Sequence, residues 1–227
     1  FLLPVLAAAL LLRLDLRDTF ALRAPRLVPL IAAAVLGLTA WMFASGILLR
    51  IAPPPESLVR SLERMIRLTE EGAPLWLIWL VVGVTPAICE EALFRGFILN
   101  GLRPMGALPA ITISALLFGI AHASIYRLLP TFFLGLVFGL VVWRTGSLLC
   151  SIVAHALNNG FLATLTESPE LGRTLGLQPG ADALPWMPTL IGTAADVAEL
   201  FMLVAMSEGG MFLRPTPNLQ LPTSNND

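Results

Sequence analysis

The sequence predicts an all-α fold: a polytopic transmembrane helix bundle of about six spans behind an N-terminal partial helix. Three observations carry that expectation. Of the 227 residues 56% are hydrophobic, and the mean hydropathy is +0.81. Only 13% are charged, against about a quarter in a soluble globular domain. The apolar residues gather in uncharged runs of about 20 residues, the length a helix needs to cross a bilayer. They show no strand-like alternation that would suggest a transmembrane barrel.

Each element can be justified in order. Residues 1–12 are apolar but too short to span. They start at Phe1 and read as the end of a longer helix, so residues 1–26 are expected to be a partial helix and connecting loop, the end of a larger fused protein. They lack the basic n-region and small-residue cleavage site of a signal peptide. Residues 13–26 carry Arg13, Arg17, Arg23 and Arg26 against Asp15 and Asp18, and the positive-inside rule would set them on the cytoplasmic side. Residues 27–49 are uncharged and make the clearest spanning helix. In residues 50–72, Leu58, Leu62, Met65, Ile66 and Leu68 fall at helical spacing. That stripe reads either as an amphipathic helix at a membrane surface or as a solvated loop helix. Further runs follow at residues 75–89, where Pro86 is a candidate kink, and at 108–121, 128–142 and 147–165. A polar loop is expected over 166–188, and a last apolar run over 189–206. The intramembrane bundle is therefore bounded at residues 27–206, and residues 207–227, rich in Pro and Asn, read as a disordered tail.

Function classes narrow quickly. A net charge of −1 with scattered charges leaves no basic footprint, and no nucleic-acid partner is expected. Cys89 and Cys150 form no CxxC pair and read as small buried residues. The informative residues are ionisable groups inside the apolar runs, which are costly at membrane depth and commonly mark function. Glu90, Glu91 and Arg95 follow one run, and the only two histidines, His122 and His155, lie in two others. Glu91 and Arg95 are i and i+4 on a helix, so they share a face and can pair. Glu90 is turned about 100° away and stays available as a reactive carboxylate. His155 and Asn159 also stand one turn apart on one face, while Asn158 points elsewhere. Asp196 and Glu199 share a face on the last run, read chiefly as snorkelling or a water-filled mouth. Gly135 and Gly139 make a small-xxx-small packing pattern.

Three short motifs complete the reading. "EEALFR" (residues 90–95) matches EExxxR, "FGIAH" (118–122) matches FxxxH, and "HALNN" (155–159) matches HxxxN. In this order, on successive apolar segments, they resemble the CPBP (CAAX protease and bacteriocin-processing, ABI) family of intramembrane endopeptidases, related to the type II CAAX prenyl endopeptidases. The resemblance covers residues 75–165. It implies an integral protein of a prokaryotic plasma membrane that hydrolyses peptide bonds of peptide or lipidated-protein substrates among membrane lipid. It also implies a catalytic set of Glu90, His122, His155 and Asn159, with Glu91 and Arg95 completing the first motif. Some relatives are fused to or associated with an ABC-transporter permease, which the Met-less start would fit. Two chemistries stay open. In one, Glu90 with His122 deprotonates water while His155 and Asn159 donate to the oxyanion. In the other, Glu90, His122 and His155 bind Zn2+. The rival readings are a non-catalytic membrane scaffold or immunity protein and an ion- or proton-coupled transporter component.

Overall fold

A computed structural model describes residues 1–51, 53, 55–57, 60, 73–174 and 186–207. All regular structure among them is helical. The amphipathic stripe expected between Leu58 and Leu68, residues 175–185 of the expected polar loop, and the tail beyond residue 207 lie outside the described residues.

Seven helices build the bundle among the described residues. Helix α1 is Leu2–Leu11, and α2 is Leu27–Phe43, continued by a π-helical turn at Ala44–Leu48 and a last turn at Leu49–Ile51. Helix α3 is Leu75–Gly101, α4 Ala107–Ala121, α5 Ile125–Thr145, α6 Leu148–Glu167 and α7 Trp186–Ser207. Among the described residues three segments are long and apolar enough to cross a membrane: Leu75–Gly101, Ile125–Thr145 and Leu148–Leu165. Helices α1, α2 and α4 are apolar but shorter. Residues 27–49, expected to be the clearest span, thus form a shorter α-helix whose backbone widens at Ala44. The expected polar loop from residue 166 is partly helical, because α6 runs to Glu167 and a short helix follows at Pro169–Thr174.

Apolar residues point both ways. Alanines and larger side chains at the interior, such as Ala32, Leu36, Phe138, Val141 and Ala154, are fully covered. Leu3, Leu27, Trp76, Leu108 and Ile125 are each at least two-thirds exposed. A soluble domain would leave few such residues open, whereas a bilayer solvates them. Interior contact relies on small residues, as expected where lipid is as apolar as the helices. A Cβ at Gly37 would overlap the Ala154 carbonyl, so α2 lies directly on α6. A Cβ at Gly135 would come within 2.9 Å of the Ala115 Cα, so α5 lies directly on α4.

Helix α3 carries the charged triplet and is irregular on both sides of it. Glu90 and Glu91 end an α-helical stretch, Thr85–Glu91, set between π-helical segments at Trp79–Val84 and Ala92–Ile98. Pro86, the candidate kink, is the second residue of Thr85–Glu91 and directly follows the first of these. Proline has no N–H to give the carbonyl four residues earlier, which is that of Val82, and the wide turn takes up the broken ladder. The Val82 oxygen instead accepts a hydrogen bond of 3.3 Å from Asn159 Nδ2 on α6. Trp79 Nε1 donates to Thr164 Oγ1 at 2.9 Å and fastens the same two helices nearer their other ends. In the second wide segment the Phe94 carbonyl accepts from Ser114 Oγ of α4 at 2.7 Å.

Candidate active site

The site grows from a fully buried ion pair. Glu91 Oε1 and Arg95 Nη1 are 2.7 Å apart, and neither side chain has any exposure. Burying two charges is costly unless geometry and further hydrogen bonds compensate, and here partners meet both carboxylate oxygens and both terminal guanidinium nitrogens, leaving Arg95 Nε without one. Arg95 Nη2 donates to the Gly135 carbonyl at 3.3 Å, and its guanidinium lies over the rings of Phe118 and Phe138, 4.3 and 5.5 Å from their centroids. Glu91 receives two more donors, both from α6: His155 Nδ1 at 2.9 Å on Oε1, and Ser151 Oγ on Oε2.

That contact fixes the chemistry of His155. A carboxylate only accepts, so Nδ1 carries a proton and Nε2 is turned the other way. There Nε2 lies 3.9 Å from Glu90 Oε2. This is too long for a direct hydrogen bond and short enough for both atoms to hold one water. Adjacent carboxylates thus grip the two ends of one imidazole: Glu91 from the dry interior, Glu90 from a side chain that keeps 19% exposure. The imidazole plane is set by Phe138, stacked at 5.0 Å, and by the edge of Phe118 at 5.9 Å.

His122 stands at the end of α4. Its Nδ1 donates to the Phe118 carbonyl at 2.8 Å, which leaves Nε2 as the unprotonated nitrogen of the neutral ring. Phe118 packs edge-on against it at 4.8 Å. The chain turns away through Ala123 in the left-handed region, φ 50, a conformation alanine adopts at a cost of about 1–2 kcal/mol. Charges acting on His122 include Arg127, Glu90 and His155, so the second histidine shares the electrostatic neighbourhood of the first. Asn159 sits one turn beyond His155. Its Nδ2 bonds Val82 O and its Oδ1 accepts from Asn158 Nδ2 at 3.1 Å.

The described geometry therefore joins Glu91, Arg95 and His155 directly and brings Glu90 to within 3.9 Å of His155. It places His122 through Phe118, and Asn159 through its bond to α3. Sequence reasoning put Glu90 beside His122, whereas the close approach in the structure is to His155. Two further residues contribute. Ser151 stands one turn before His155 and makes an interhelical hydrogen bond to Glu91, and that spacing was the available signal in the sequence. Phe138 carried none, being one phenylalanine among several in an apolar run. Asp196 belongs elsewhere: it is buried on α7, and its Oδ1 meets Thr39 Oγ1 of α2 at 2.5 Å.

For a metal the donor types are suitable, and each imidazole has the Nδ1 hydrogen bond that commonly supports a ligating histidine. Yet among the described residues no three His, Cys, Asp or Glu side chains converge as a metal would require. As arranged, Glu90, His122 and His155 do not make a zinc centre.

Residues 72–161 match the family described as type II CAAX prenyl endopeptidase Rce1-like. This stretch is a domain of that family. The Rce1-like domain runs along α3, α4 and α5 and into α6, and contains every residue of the three motifs. Helices α1, α2 and α7 lie outside it. No curated protein and no solved structure matches the chain. The family and the three apolar spans together point to an integral membrane protein of an intramembrane protease family.

Proposed function

We propose that this chain is an intramembrane endopeptidase that cuts membrane-associated polypeptides, prenylated CAAX-type tails among them, with a water activated by Glu90. The observation that carries this reading is the 3.9 Å separation of Glu90 Oε2 and His155 Nε2, on an imidazole locked from behind by buried Glu91. A water held by Glu90, with His122 Nε2 as a second acceptor, attacks the amide carbon. Glu90 takes its proton as the new C–O bond forms. In its protonated form His155 donates from both nitrogens, from Nδ1 to Glu91 and from Nε2 to the oxyanion. Asn159 has a second N–H on Nδ2 for the same oxygen, and such donors contribute roughly 3 kcal/mol each. Glu90 then passes the proton to the leaving nitrogen, the C–N bond breaks, and a carboxylic acid and an amine depart.

About six crossings of a prokaryotic plasma membrane frame this chemistry, with α2, α4 and α7 added to the three long spans. Partners on this reading are membrane lipid, the lipidated or peptide substrate and an ABC-transporter permease. In native membranes Glu90→Gln should lower cleavage by at least about 100-fold, since general-base catalysis supplies factors of that order, while the protein accumulates normally and retains uncut substrate. Wild-type protein dialysed against a chelator should keep its activity and carry no stoichiometric metal. A Glu90→Gln protein that still cleaves would overturn the role of Glu90. Stoichiometric zinc, with activity lost on chelation and restored by zinc, would overturn the direct-water step.

A further inference from the structure

At one end of the bundle three connections meet: residues 12–26, the turn between α3 and α4, and the turn between α5 and α6. The first and the last of them are joined by hydrogen bonds from Ser147 Oγ to the Arg23 carbonyl at 2.7 Å and from Leu148 N to the Ala21 carbonyl at 3.1 Å. Leu14, Phe20, Leu102 and Trp143 pack into one apolar cluster beneath them. On this platform the Arg103 guanidinium lies 5.5 Å from the Trp143 ring centroid. Arg103 is half-buried, its Nε is sequestered without a hydrogen-bond partner, and it makes no ion pair among the described residues. The charges acting on it are the guanidinium of Arg23 and the carboxylate of Asp18. Asp18 is already engaged by Arg23 Nη2 at 3.2 Å. Two guanidinium groups thus share one carboxylate, and the one that lacks it is the more dehydrated.

We propose that Arg103, seated on Trp143, and the neighbouring Arg23 form a site for the phosphate of an anionic phospholipid headgroup. A guanidinium offers paired N–H donors that match a phosphate's oxygens. Tryptophan at the end of a spanning helix is the usual marker of headgroup depth. Basic pockets between helix ends are where such headgroups dock. The choice of a lipid over a free anion rests on what flanks the arginines. Leu22 beside Arg23, and Met105 and Leu108 beside Arg103, are exposed at 56%, 54% and 79%. A phosphate that brings its own acyl chains covers both the charge and these side chains, whereas inorganic phosphate covers only the charge.

The test uses the full chain in nanodiscs of phosphatidylcholine doped with phosphatidylglycerol, followed by gentle extraction and native mass spectrometry. Wild type should retain phosphatidylglycerol selectively. Arg103→Gln should retain at least roughly fivefold less, the factor expected for one arginine near the membrane surface. Arg173→Gln, an exposed arginine on the short helix after α6, should behave as wild type. Equal retention of both lipids by wild type overturns the site without any variant, and so does undiminished retention by a folded Arg103→Gln protein. Displacement of the lipid by inorganic phosphate at comparable affinity would make this a free-anion site and overturn the lipid assignment. Peptide cleavage is not a readout, so the proposal stands or falls separately from the protease reading.

Discussion

Glu91 holds three donors on two oxygens, and each of them does something different. Arg95 neutralises it, His155 takes its tautomer from it, and Ser151 fixes the oxygen that the other two leave open. Ser151 therefore acts on the imidazole only through Glu91, as a positioning residue. Ser151→Ala leaves a buried carboxylate oxygen short of a donor, at a cost of about 1–3 kcal/mol, and lets Glu91 relax. Misplacing a catalytic group by an ångström costs up to about 100-fold, so kcat should fall roughly 10- to 100-fold with KM nearly unchanged. Thr145→Ala removes another buried hydroxyl, one that donates to the Val141 carbonyl at 2.8 Å far from Glu91. It should cost comparable stability and leave kcat alone. If both variants lose kcat equally, Ser151 is merely structural. At this scale much of the candidate site is legible in the sequence. Charges and imidazoles are so expensive inside apolar runs that Glu90, Glu91, Arg95, His122 and His155 stand out, and helical spacing alone pairs Glu91 with Arg95. Serine and phenylalanine cost little at membrane depth, so Ser151 and Phe138 could not be told from packing residues.

Between residue and fold stands the coupling of α3 to α6. Pro86 withholds an N–H from Val82, and Asn159, a turn away from His155, supplies one. The amide on which the oxyanion reading draws is thus also a helix-repair contact. The two uses can be separated by a cycle of variants. Asn159→Ala removes a donor from the exposed Val82 carbonyl and should destabilise by about 0.5–1.5 kcal/mol, the net contribution of one hydrogen bond. Adding Pro86→Ala returns an N–H to the ladder, so the double variant should regain most of that loss in thermal unfolding. Cleavage should not return, because nothing replaces the carboxamide. A double variant no more stable than Asn159→Ala would mean that the 3.3 Å contact contributes nothing. Helix identity was readable from run length and from the absence of alternation. The widened backbone on either side of Glu90 and Glu91 was not, because a π-turn is set by which carbonyls find donors on neighbouring helices, here Asn159 and Ser114, and those pairings exist only after packing.

For the molecule as a whole, helix length decides how water reaches a site surrounded by lipid. Helix α4 has 15 residues and is about 22 Å long at 1.5 Å per residue, against a hydrocarbon core of about 30 Å. Its beginning shares an apolar cluster with the arginine-bearing end of the bundle, through Ala110, Leu102 and Phe20. If that end lies at the membrane surface, the other end of α4 falls short of the opposite surface. His122 and the turn at Ala123 and Ser124, where α5 begins, are then recessed by several ångströms at the end toward which α6 runs. On the protease reading proposed above, this recess is the route by which Glu90, the more exposed of the two glutamates, meets solvent and substrate. Sidedness can be read chemically. With Cys89 and Cys150 replaced, single substitutions Arg13→Cys, Met105→Cys, Ser124→Cys and Glu170→Cys are exposed in turn to a membrane-impermeant thiol reagent in intact cells and in lysed membranes. Positions 13 and 105 should report one side, and 124 and 170 the other, with 124 reacting despite lying below the surface because the recess is wet. Positions 105 and 124 reporting the same side would mean that α4 does not cross, and Glu90 would have no entrance for water at that end.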